Sequence, residues 1–246
     1  MILAYHEVLP HESAYLYTVT SSQLDLHLSI INGLSSMGTQ GFAQAQVTFD
    51  DGHLSNYEYA VPILLKRHLP ATFFVTTGWI GSRQGFMSWQ QLREIASLGH
   101  AVQSHGLSHK LLTHCSPKDL LEEVHSSKKA IEDALGRRVT SISVPGGRWN
   151  SRVLRACFQS GYDEVYVSDP TLRSCTMDGV RVQGRLMVTR LMTADVIRPY
   201  LQGSSAMFFL LNGKNVCKSL SKRLLGDGIY GWLWRKMADK DKASYR

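Results

Sequence analysis

The feature that most constrains this chain is a repeated alternation along its length. Short apolar runs rich in β-branched and aromatic residues are separated by segments carrying helix start and stop signals. The runs fall at 2–6, 45–50, 71–77, 101–104, 140–144, 162–167 and 185–188. Between them, Ser88 precedes a helical pattern that Gly99 stops, and Ser116-Pro117 supply a cap and a first-turn proline for one that ends at Gly136. Asn150 caps a helix that ends at Gly161, and Thr193 caps another. Alternation of this kind builds βα units around a parallel sheet. A strand buried on both faces reads as a continuous apolar run, as Ala71-Thr72-Phe73-Phe74-Val75 does. Seven such strands predict an α/β fold of the irregular (β/α)7 barrel type, with an open doubly wound sheet as the alternative. No glycine-rich fingerprint follows the first strand, which leaves dinucleotide binding without support.

A chain of 246 residues is long enough for one large domain with a buried core. Its 43% apolar and 19% charged residues exclude a disordered or low-complexity protein. The net charge of +7 is unevenly placed: residues 212–246 hold nine Lys and Arg against three Asp, so the rest of the chain is nearly neutral. The expected organisation is a barrel over 1–205 and a basic, aromatic-containing extension over 206–246. Lys and Arg interleaved with Tyr230, Trp232 and Trp234 suit peripheral contact with an anionic membrane surface. Nucleic acid is not expected as a partner, because no recognised binding motif accompanies the charge. Cys115, Cys157, Cys175 and Cys217 form no Cys-x-x-Cys pair, which argues for reduced thiols. The N-terminus reads as a strand rather than a secretory signal, and no apolar run approaches the roughly 20 residues needed to span a bilayer. A cytoplasmic location is therefore expected.

The chemistry concentrates at two strand ends. Val47-Thr48-Phe49-Asp50-Asp51-Gly52-His53 ends an apolar strand in adjacent carboxylates and a glycine. Strand C-termini are where barrel active sites assemble, although a surface Asp-Gly turn would read alike. Two neighbouring carboxylates can divide labour, one binding a metal while the other accepts a proton from water. After the strand Ala101-Val102-Gln103 come His105 and His109, spaced to share one divalent ion. One carboxylate and two imidazoles leave coordination positions open, the pattern of a catalytic rather than a structural metal.

With these motifs in hand, the chain resembles the polysaccharide deacetylases that carry the NodB homology domain, carbohydrate esterase family 4. Thr48-Phe49-Asp50-Asp51-Gly52 matches that family's first motif, and His105 and His109 match the histidine spacing of its second, with Gly106 where Ser or Thr is usual. Tyr5-His6 and the strand Pro70-Ala71-Thr72-Phe73-Phe74-Val75 add to the likeness, which runs from about residue 2 to 200. The resemblance implies a NodB-like (β/α)7 barrel. In it Asp50 is the catalytic base, and Asp51, His105 and His109 hold a divalent ion, zinc first, with Co2+, Ni2+ or Mn2+ as substitutes. It further implies removal of N-acetyl groups from an N-acetylhexosamine-containing glycan by a metal-activated water. The third motif corresponds to Val144-Pro145-Gly146-Gly147-Arg148, which makes the Gly146 N–H the oxyanion donor.

The sequence also departs from the family pattern. Ser143 stands where an arginine usually tethers the base, leaving Arg148 as the candidate from the other side. The usual aromatic after the proline is missing, with Trp149 nearest. Arg185-Leu186-Met187-Val188-Thr189 lacks the histidine that protonates the leaving amine, and His6 is the expected replacement. Asp163 or Asp169 stands loosely for the fourth motif, while His53 and His114 read as solvated loop histidines. The alternatives are a carbohydrate-binding barrel with little or no catalysis and a hydrolase of another non-peptide amide.

Overall fold

A computed structural model describes residues 1–36, 45–172, 174–211 and 213. In chain order these form β1 (Ile2–Tyr5), β2 (Glu7–Leu9), β3 (Thr18–Thr20), α1 (Ser21–Ser36), β4 (Gln46–Phe49), α2 (Val61–Arg67), β5 (Thr72–Val75) and α3 (Trp89–Ser97). There follow β6 (Ala101–Ser104), α4 (Pro117–Leu135), β7 (Ser141–Ser143), α5 (Ser151–Gln159), β8 (Glu164–Val167), β9 (Cys175–Met177), β10 (Val180–Gly184), β11 (Leu186–Met187) and α6 (Ala194–Leu201). A short π-helical turn, Asn56–Ala60, leads into α2.

The main sheet runs β11-β1-β4-β5-β6-β7-β8-β10-β9, and every pairing except β10 with β9 is parallel. The two ends of the parallel array meet. β10 pairs with β8 and β11 with β1, yet Arg185 alone separates β10 from β11. One run therefore leaves the last strand and joins the first, curling the sheet into a barrel of seven parallel staves. This is the expected (β/α)7 arrangement. The run expected at 185–188 is only the second half of the closing stave; its first half, β10, and the small parallel β2–β3 sheet are additions to the expected elements.

Side chains alternate across each stave with period two. On β4, Val47 and Phe49 join the continuous outer core beneath the helices, whereas Thr48 bonds inward to the guanidinium of Arg185. Ile2, Phe74 and Tyr166 form a separate small apolar cluster inside the barrel. The helices that cover the sheet end as their sequences require: Ser88 and Gln91 form a reciprocal capping box on α3, and Ser116 and Asn150 cap α4 and α5. Thr193 does precede α6, but its hydroxyl makes no capping bond. Leu24, Leu28 and Ile31 of α1 are fully buried, and truncating one such leucine to alanine costs about 2–5 kcal/mol. Past α6, Met207 and Phe208 pack on the same core and Leu211 is buried. Most of the basic segment, including Cys217, lies outside the described residues; Cys115, Cys157 and Cys175 are free thiols.

Candidate metal and catalytic centre

β1 and β4 are paired in register, Tyr5 against Phe49, so His6 and Asp50 emerge side by side at the C-terminal mouth of the barrel. In an extended strand Asp50 and Asp51 would point to opposite faces. The chain avoids this by turning at Asp51, whose φ of 73° lies in the left-handed region, and both carboxylates reach the mouth. The turn is held by Asp50 N–H donating to Tyr5 C=O (2.8 Å) and Thr76 N–H to Asp51 C=O (3.2 Å).

Asp51 Oδ1 lies 3.2 Å from His105 Nε2 and 3.3 Å from His109 Nε2. Four-coordinate zinc, with ligands at about 2.0–2.1 Å, spaces its ligand atoms about 3.3 Å apart. Among the described residues Asp51 Oδ1 is buried with no hydrogen-bond partner, so the distances fit atoms converging on a shared cation. His105 supplies a further test. Its Nδ1 lies 2.7 Å from the carbonyl oxygen of Ser143, which can only accept; Nδ1 therefore carries the proton and the Nε2 lone pair faces the cluster. The residues present thus fit a divalent ion.

Asp50 stands apart from this cluster in its bonding. It is 2% exposed, and Arg185 grips it with both prongs, Nη1 to Oδ1 and Nη2 to Oδ2, each at 2.8 Å. Ser143 Oγ donates a further bond at 3.2 Å, and Arg185 also reaches Ser143 Oγ (2.7 Å) and Thr48 Oγ1 (3.0 Å). The guanidinium lies over the rings of Phe74 and Tyr166 at 5.3 and 5.8 Å, which fixes it in the barrel interior. Burial opposes ionisation of Asp50, but the charges of Arg185 and His105 outweigh it and hold the carboxyl below its ordinary value. Asp51, also desolvated, is held well below that value by its histidine partners. His105 shows the reverse: burial lowers its pKa, yet the charges of Asp50 and Asp51 raise it overall.

The contact with Asp50 expected of Arg148 is made by Arg185, which approaches the carboxylate from the closing stave. The clue lay in the sequence, because an arginine inside an apolar strand is seldom buried without a partner. The structure brings together Asp50, Asp51, His105 and His109, with His6 close enough to favour ionisation of both carboxylates. Among the described residues His6 Nδ1 is buried without a partner, and its ring stands 5.0 Å from that of Tyr17. Trp79, 5.1 Å from the ring of His109, is an aromatic neighbour that the motifs did not single out. Gly146 is exposed and adopts φ 65°, a left-handed conformation that favours glycine.

Other expectations fare differently. Asp163 precedes β8 at the opposite end of the barrel, where it pairs with Arg138 at 3.3 Å, and so cannot serve the site. Asp169 follows β8 at the mouth and accepts bonds from Thr171. His114 is exposed as expected, but His53 is not a solvated loop residue. Its Nδ1 lies 2.8 Å from Ser55 Oγ and its Nε2 3.5 Å from Glu7, tying the loop after β4 to β2. Trp149 packs against the outer core.

Fold and site together define a parallel barrel whose mouth carries an Asp-His-His cluster able to hold a metal ion, beside a separately clamped carboxylate. Comparison with known proteins agrees. The family model for polysaccharide deacetylases matches residues 38–165, and the chain belongs to that family. It is 30% identical over 156 residues to the YxkH protein of Bacillus subtilis (strain 168), covering 63% of this chain and 55% of that one. It is 32% identical over 133 residues to a chitooligosaccharide deacetylase of Sinorhizobium fredii, covering 53% and 60%. The matches thus span little more than half the length of these relatives. Among solved structures, the Streptococcus pyogenes deacetylase PplD superposes with a TM-score of 0.66 at 21% identity, covering 79% of this chain and 94% of that one. A de-N-acetylase of Aggregatibacter actinomycetemcomitans gives 0.67 at 19%, covering 81% and 98%; these likenesses speak to the fold.

Proposed function

We propose that this protein is a metal-dependent hydrolase that removes N-acetyl groups from an N-acetylhexosamine-containing polysaccharide, oligosaccharide or glycan precursor. The observation that carries the reading is the pairing of an ionised, arginine-clamped Asp50 with the Asp51-His105-His109 cluster one residue away. Zinc held by those three ligands would acidify water and polarise the acetamide carbonyl. Asp50, which the clamp keeps unprotonated, takes a proton from the attacking water as its oxygen bonds to the carbonyl carbon. The Gly146 N–H donates to the oxyanion that develops. When the carbon–nitrogen bond breaks, the amine nitrogen needs a proton, and His6, beside Asp50, delivers it. The products are acetate and a free amino sugar. Tyr17 beside His6 supplies an aromatic face on which a sugar ring can pack.

The test is Asp50→Asn. Acetate release from N-acetylglucosamine oligomers should fall by about 10²–10⁴-fold, with the zinc content of the purified protein unchanged. Loss of zinc in that variant would contradict the division of roles between Asp50 and Asp51. A wild-type protein that retains zinc but releases no acetate from any acetylated glycan would point instead to a carbohydrate-binding barrel.

The proposal extends to peripheral contact with an anionic membrane. The described chain ends in a helix on which Phe209 is 84% and Leu210 52% exposed, immediately before the basic segment. Among the described residues no helix is long and apolar enough to cross a membrane.

A further inference from the structure

The two histidines of the metal cluster are held in different ways. His105 is fixed by the sheet: its N–H donates to Val75 C=O at 2.8 Å and its ring to Ser143 C=O. His109 lies four residues further on, in a loop, with a third of its side chain exposed and φ at 62°. Its position depends on what holds residues 106–108. On one side Thr77 N–H donates to Gly106 C=O (3.1 Å) and Gly78 N–H to Leu107 C=O (2.8 Å). Within the segment Gly106 N–H donates to Ser104 Oγ (3.1 Å), and residues 107 and 108 are held from the other side by Glu123 of α4. Its Oε2 accepts the N–H groups of Leu107 (3.0 Å) and Ser108 (2.9 Å), and its Oε1 accepts a bond from the Ser108 hydroxyl.

Glu123 is 3% exposed, an uncommon place for a carboxylate in a helix, and Lys110 Nζ approaches it at 3.9 Å. A buried charge persists only where hydrogen bonds and countercharge repay its desolvation, and here the donors all come from the segment between the two metal ligands. Gly106 fits the same arrangement. Its φ of 80° is what requires glycine, since an added β-carbon would meet Glu123 Oε2 at an ordinary 3.5 Å.

We propose that Glu123 is a positioning residue for the metal centre: by clamping residues 107 and 108 it sets His109, and so preorganises the ligand set contributed by the loop. The inference rests on the reading of Asp51, His105 and His109 as a zinc site. Its test measures zinc affinity rather than turnover, by calorimetry with a competing chelator, alongside thermal unfolding of each protein in chelator. Removing support of this kind from a metal ligand typically weakens binding 10–100-fold, and Glu123→Ala should fall in that range. Glu123→Gln keeps one acceptor oxygen but presents an NH2 to donors, and should lie between Ala and wild type. Ser108→Ala, which removes one of the three donors and leaves the carboxylate buried, should weaken zinc binding by less than tenfold. With Co2+ as probe, the visible absorption of Glu123→Gln should differ from wild type, because His109 no longer ligates in the same geometry.

A purely structural glutamate would lower the melting temperature in chelator while the folded protein bound zinc as tightly as wild type, and that result would overturn the inference. If Glu123→Ala does not fold, Ser108→Ala and Glu123→Gln decide; wild-type zinc affinity in both refutes it. A wild-type protein that binds no zinc would instead refute the proposed metal centre itself.

Discussion

At the residue scale the decisive contact is the clamp of Arg185 on Asp50. Two parallel N–H···O bonds between buried groups fix the carboxylate's orientation, and the arginine's charge keeps it ionised against burial. A group held below its ordinary pKa contributes stability at pH values above about 3.9, the unfolded value for Asp. That contribution is lost as pH falls through the lower folded value. Arg185→Met reverses the balance, because burial then acts unopposed by the arginine and raises the pKa of Asp50. The acid limb of the kcat/KM profile should move to higher pH. Breaking a buried pair by removing one partner costs about 3–5 kcal/mol, measurable as a lower urea midpoint at pH 7. The variant should also lose less of its remaining stability on acidification, since protonating Asp50 now relieves a buried charge. An unshifted profile and wild-type stability would refute the clamp.

At the element scale the clamp depends on the closing stave. Arg185 sits between β10 and β11, its own N–H donating to Val167 C=O at 3.0 Å, so the residue that closes the barrel also tethers Asp50. Gly184, next to it, passes beneath the loop after β8. A β-carbon there would lie 2.2 Å from the carbonyl oxygen of Asp169 and 2.3 Å from that of Leu172. Backbone cannot yield as a side-chain tip can, so Gly184→Ala must displace the stave. Overpacking of this kind costs about 1–3 kcal/mol, and acetate release should fall further than stability alone explains, because Arg185 moves with the strand. Activity equal to wild type at a temperature where the variant is fully folded would break that link. The same stave marks where the sequence stopped being legible. Asp50, Asp51, His105 and His109 could be placed from local motifs at strand ends, and the long helices from their caps. Arg185 is 135 residues from its partner, in a stave split into strands of five and two residues with no period to reveal it. Glu123 sat in an ordinary amphipathic helix, and only tertiary packing turns it towards the metal loop.

At the scale of the whole molecule, charge is segregated along the sequence. The barrel is nearly neutral, whereas residues 212–246 carry a surplus of six positive charges and four tryptophan or tyrosine residues, Tyr230, Trp232, Trp234 and Tyr245. Each Lys or Arg near an anionic lipid surface contributes about 1 kcal/mol, and the attraction decays over a Debye length of about 8 Å at physiological salt. Aromatic side chains add burial at the headgroup level, and Phe209 and Leu210 present further apolar area at the start of the segment. The full chain should therefore co-sediment with vesicles containing phosphatidylserine and far less with neutral phosphatidylcholine vesicles. Replacing Lys222, Arg223, Arg235 and Lys236 by glutamine should abolish most of that binding while acetate release from soluble oligomers stays at the wild-type level. Raising salt from 0.1 to 0.5 M should weaken the wild-type interaction, because the electrostatic share is screened. Equal binding to neutral and anionic vesicles would show that the basic residues do not drive contact. No binding to either would leave the basic segment without a membrane role and confine the protein's action to glycans that reach it in solution.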